Sequence, residues 1–122
     1  MILLRYIALY IVARVFWWII EDSIKTQPQK SLYRYMARGS NPYAQRAYEF
    51  EIVREDGGYR AYIKKGPSYG LRKQDMHSTH RMYDGRYYIC WTNKVHSEAD
   101  MKTIARHWSD CTQAYIENGT YF

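Results

Sequence analysis

The alternation that begins at Tyr48 constrains the fold more than any other feature of the chain. In residues 48–55, YEFEIVRE, Tyr48, Phe50 and Ile52 alternate with Glu49 and Glu51. A period of two puts the apolar set on one face of a strand and the carboxylates on the other. Asp56, Gly57 and Gly58 follow, residues that tolerate positive φ, and residues 59–65 alternate again. Two such runs around such a turn specify a β-hairpin. With Tyr59, Ala61 and Ile63 towards the core, Arg60, Tyr62 and Lys64 occupy the opposite face.

Residues 66–74, GPSYGLRKQ, read as a loop through their Gly and Pro content. The loop is basic, carries Tyr69, and sits where a scaffold would present a binding segment. Residues 78–83, the Asp84-Gly85 pair and residues 86–92 read as a second hairpin with a two-residue turn. Tyr87, Ile89 and Trp91 share one face of its second strand, and Tyr88, Cys90 and Thr92 the other, so this strand is expected to be central. Ser97 with Asp100 gives a capping-box-like helix start, and Asn118-Gly119 a stop. Between them Met101, Ile104, Ala105, Trp108, Thr112 and Tyr115 form one helical stripe, with Lys102, Arg106, Asp110 and Glu117 away from it. The expected fold is therefore α+β: a β-β-β-β-α domain over residues 48–122, a small four-stranded antiparallel sheet packed by a C-terminal amphipathic helix.

Upstream, residues 2–20 are the most hydrophobic stretch, and their only charges are Arg5 and Arg14. No small-residue cleavage site follows, which argues against a secretory signal. A membrane-spanning helix would be of minimal length and would hold Arg14 too deep. Residues 1–24 are read first as a hydrophobic helix buried against the protein or a partner, next as a membrane anchor. A third reading makes them an extension ahead of a shorter product starting at Met36. Residues 25–47 contain Lys25, Lys30, Arg34, Arg38 and Arg46, no acid, and Pro28, Gly39 and Pro42. They read as a basic linker with one short helix around residues 32–36, either lying along phosphates or serving as a solvated connector.

Charge is concentrated rather than spread. Residues 59–94 hold eight cations (Arg60, Lys64, Lys65, Arg72, Lys73, Arg81, Arg86 and Lys94) against Asp75 and Asp84, a net +6 that equals the formal charge of all 122 residues. The same block is rich in Tyr. Cations release counterions on meeting a polyanion, and flat rings stack on bases. Arg60, Tyr62, Lys64, Lys65, Tyr69, Arg72, Lys73, Arg81 and Arg86 are accordingly the candidate contacts to nucleic acid, to a nucleoprotein complex or to an acidic protein surface.

Catalytic chemistry is poorly provided for. The chain has no phosphate-cradling Gly loop, no nucleophile elbow and no paired catalytic carboxylates; Glu49 and Glu51 more simply balance basic neighbouring strands. His77 and His80 with Lys73 and Arg81 offer the groups of a metal-independent ribonuclease, yet phosphate contact explains them equally well. His107 and Cys111, four apart on the helix, have zinc-ligand spacing but no second pair, so no metal or other cofactor is expected. Cys90 and Cys111 do not make a disulfide framework and are read as reduced thiols of a cytoplasmic protein.

FEIVREDGGYRAYI, followed after an insertion by a strand and the helix in HSEADMKTIARHWSDCTQAYIENG, resembles the HicB-type antitoxin domain. There a GGY hairpin leads through a third strand to an EA-containing helix. The likeness implies a sheet that covers a toxin. In place of the family's Pro-Gly stretch this chain has GPSYGLRKQDMHSTHRMYDG, so no toxin-binding residue is carried over. The first functional expectation is a non-enzymatic binding protein of nucleic acid or nucleoprotein, of the kind that phages and mobile elements use as regulators or inhibitors, anti-CRISPR proteins included. An antitoxin and a small ribonuclease are the alternatives.

Overall fold

The structure, a computed structural model, describes residues 30–122. The predicted helix over residues 1–24, and residues 25–29 of the linker, lie outside the described residues. Five strands, β1 (Lys30–Met36), β2 (Ala47–Glu55), β3 (Gly58–Lys65), β4 (Arg81–Tyr83) and β5 (Tyr87–Ile89), pair antiparallel in the order β1-β2-β3-β5-β4. One helical turn, α1 (Met76–Thr79), precedes β4. A 21-residue helix, α2 (Glu98–Asn118), packs across one face of β1, β2 and β3.

The first hairpin forms as its alternation dictates. Glu55 lies opposite Gly58, so the loop is the two residues Asp56 and Gly57, with φ of 46° and 75°. Positive φ at both positions is the type I′ turn that matches strand twist, and Gly57 adopts it without steric cost. Phe50 and Ile52 pair with Ile63 and Ala61 on the helix-covered face. The opposite face is not uniformly exposed: Tyr62 retains only 5% of its surface and Val53 2%.

Two expectations need correction. The sheet has five strands rather than four, because residues 30–36 of the supposed linker form β1 and not a short helix. Ser31, Tyr33 and Tyr35 alternate with Lys30, Leu32, Arg34 and Met36, and their register sets Tyr33 opposite Phe50 and Tyr35 opposite Tyr48. Only the Gly- and Pro-containing residues 37–46 are a connecting loop. A product starting at Met36 would lack six of the seven residues of β1. The second hairpin is also shorter than expected. Ser78 and Thr79 are buried in α1, where the Thr79 carbonyl accepts from Trp108 Nε1 at 3.0 Å. His80 then takes a left-handed conformation (φ 50°) that turns the chain into the three-residue β4. Trp91 falls beyond β5 and is half exposed. β5 itself does lie inside the sheet, between β3 and β4.

The core is an aromatic cluster under α2. Phe50 stacks with Tyr48 (6.3 Å, 7°) and Tyr33 (6.5 Å, 25°), and Trp108 meets both Tyr48 and Phe50 edge-on at 5.9 Å. Each such pair adds about 0.5–1.5 kcal/mol beyond area burial. Met101, Ala105, Trp108, Thr112 and Tyr115 of α2 are buried, as their spacing predicts. The cap predicted at Ser97 forms: its side chain accepts from the Asp100 amide at 3.1 Å. Gly119 closes the helix at φ 72°. The flank of α2 is equally committed, since Asp110 accepts from Tyr35 Oη and the Arg38 amide, and Glu117 from the Asn41 amide. Among the described residues no helix is long and apolar enough to cross a membrane.

Candidate nucleic-acid interface

Seven of the nine residues singled out from the sequence fall into two groups. Arg60, Tyr62 and Arg86 belong to a brace across the uncovered face of the sheet. Arg86 lies 3.6 Å over the Tyr62 ring and forks onto Glu51 at 3.2 and 3.4 Å. That hydrogen bond holds the Glu51 carboxyl below its usual pKa. Arg60 sits 4.1 Å over Tyr88, donates to Asp84 Oδ2 at 2.8 Å and lies 3.6 Å from Glu55. The Tyr62 hydroxyl is within hydrogen-bond reach of both Asp84 and Glu55, and burial raises its pKa. Further out, Lys30 pairs with Glu51 and Arg34 with Glu49. This face is cross-braced and nearly charge-balanced, with its tyrosine rings already covered by guanidinium groups.

The second group gathers at one end of the sheet. Lys64 and Lys65 end β3, Tyr69 stands in the following loop, and Arg81 opens β4. They line a pocket of about 330 Å³ with Tyr87, Gln74 and the buried Tyr48, Trp108 and Thr112, and among the described residues no carboxylate is in its walls. The Arg81 guanidinium lies 3.8 Å from the Tyr87 ring centre and 4.7 Å from that of Tyr69, and donates to Gln74 Oε1 at 3.2 Å. Among the described residues neither Lys64, Lys65 nor Arg81 has a carboxylate within 4 Å. Three buried polar atoms of this pocket, Tyr69 Oη, Arg81 Nε and Thr112 Oγ1, also have no hydrogen-bond partner. An unsatisfied buried donor costs about 1–3 kcal/mol, so these three favour an acceptor beside them, whether an ordered water or a ligand. Burial raises the Tyr69 pKa while Arg81 opposes the shift, which keeps the phenol protonated as a donor.

No family model, curated protein or solved structure matches the chain.

The remaining candidates are placed apart. Arg72 folds back on α2, donating from Nε to the Ile116 carbonyl at 3.3 Å, where a cation complements the helix C-terminus. Lys73 is exposed, and its carbonyl accepts from Tyr115 Oη at 2.8 Å. His77 is exposed on α1, whereas the His80 ring packs 4.3 Å from that of Phe122. His107 Nε2 and Cys111 Sγ approach to 3.7 Å, but no group of three metal-ligating side chains occurs among the described residues. A second depression, of about 370 Å³ beside the first hairpin, mixes Arg60 and Lys94 with Glu55 and Asp56 and so lacks the one-sided charge. Sequence reasoning missed Tyr87, Gln74 and Thr112. The sequence places Tyr87 on one strand face with Ile89 and Trp91, and Thr112 in the helix stripe; only the fold brings them together as walls of one pocket.

Proposed function

We propose that the chain is a non-enzymatic binding protein for nucleic acid or for the nucleic acid of a nucleoprotein complex, acting through the pocket between Lys64, Lys65 and Arg81 at the end of the sheet. The observation that carries this is the partition of charge: Arg60 and Arg86 are neutralised within the fold, while among the described residues Lys64, Lys65 and Arg81 have no carboxylate within 4 Å. Cations free of carboxylate partners gain most from phosphates. Binding without turnover suits a regulator or blocker of a nucleic-acid machine, the role that mobile-element inhibitors such as anti-CRISPR proteins play.

The test is anisotropy of a labelled single-stranded oligonucleotide across a salt series. Charge reversal at Lys64 and Lys65 together should weaken binding and flatten the slope of log K against log salt by about 1.4, two phosphate contacts at roughly 0.7 each. An unchanged slope would overturn the assignment. A protein target that stays bound after nuclease treatment would favour the antitoxin-like alternative. One observation favours that second reading: β1 pairs only with β2 among the described residues and exposes Leu32 and Met36 on the uncovered face.

A further inference from the structure

We propose that the pocket between Lys64, Lys65 and Arg81 receives the terminal phosphate of a single strand, a phosphomonoester end rather than a phosphodiester within the chain. The inference rests on the nucleic-acid reading above and deepens it. Three features point to a phosphomonoester. The pocket supplies three cations and no carboxylate, which suits a group carrying nearly two negative charges better than a diester carrying one. Tyr69 Oη, Arg81 Nε and Thr112 Oγ1 can all donate, and a phosphomonoester brings three acceptor oxygens. The donors are also buried, Thr112 to 1% exposure on the inner side of α2, behind a rim where Lys64, Lys65 and Gln74 are exposed. A strand end can project into such a recess as rim side chains rotate aside, whereas an internal diester must lead chain in and out of it.

The experiment uses the full chain and one oligonucleotide sequence in three forms: 5′-phosphorylated, 3′-phosphorylated and with both ends free. An internal label reports affinity at a single salt concentration. One phosphorylated end should bind about tenfold tighter than the free ends, as expected for added charge-assisted hydrogen bonds. The near-isosteric Thr112→Val, checked for folding by its thermal melt, should shrink that ratio several-fold. Equal binding of all three forms would overturn the inference. In that event a salt slope still sensitive to Lys64 and Lys65 reversal leaves the nucleic-acid function standing, and loss of that sensitivity removes both. Competition with inorganic phosphate and a nucleoside monophosphate separates the sources: displacement at concentrations comparable to the oligonucleotide's Kd would assign the pocket to free phosphomonoesters and overturn the strand end.

Discussion

Arg86 and Arg81 both lie on tyrosine rings, and what separates them is a carboxylate. Arg86 has Glu51 within 3.2 Å, and Arg81 has only the Gln74 amide. The first is therefore part of the scaffold, and the second has no carboxylate partner among the described residues. Arg86→Ala should cost about 1 kcal/mol at neutral pH, since the pair is partly exposed but bidentate and stacked, and lower Tm by about 4–8 °C. The effect is tied to pH. Glu51 titrates below the ordinary 4.5 in the folded protein, so its contribution is present above that value and is lost as pH falls through the folded pKa. Thermal melts at pH 7 and pH 3 should show the gap between wild type and variant narrowing in acid. A gap of the same size at both would mean that Arg86 acts only by covering Tyr62.

At the scale of elements, β1 shows how a strand can be hidden in a basic sequence. Its inward residues are Ser31, Tyr33 and Tyr35, whose hydroxyls meet Glu98, Arg106 and Asp110 of α2. The partners lie 67 to 75 residues away in sequence, so nothing local announces that this side is buried. Deleting residues 1–35 should remove on the order of 3 kcal/mol of aromatic burial from a total of about 5–15, and should bare the outer edge of β2 for aggregation. Urea unfolding with size-exclusion chromatography checks this. A monomeric truncation that unfolds at the wild-type midpoint would contradict an integral β1. The hairpin β2–β3 and the helix α2 were legible because alternation, a positive-φ turn and a capping box are all local signals.

For the whole molecule, the sequence block with net +6 does not fold into one basic face. Its cations divide between a balanced sheet face and a pocket whose walls, among the described residues, hold no carboxylate. Binding should accordingly depend on where a charge is placed and not on net charge alone. Arg34→Glu, on the uncovered face and paired with Glu49, should leave the salt slope of oligonucleotide binding within error, although it changes net charge by the same two units as Lys64→Glu. If both substitutions flatten the slope equally, the attraction is diffuse and the end of the sheet is not a site.

By itself the sequence determined the α+β class, the first hairpin with its turn, the capped amphipathic helix and a surplus of cations and tyrosines in residues 59–94. Those follow from periods of two and 3.6 and from residues whose backbone preferences act within a few positions. Tertiary structure decided the fifth strand, the burial of Tyr62 and the choice of which cations stay free. Each of those depends on pairings that span the fold, such as Arg86 with Glu51, 35 residues apart, and Arg60 with Asp84, 24 apart. Composition counts charges, but only the packed chain sets which of them meet.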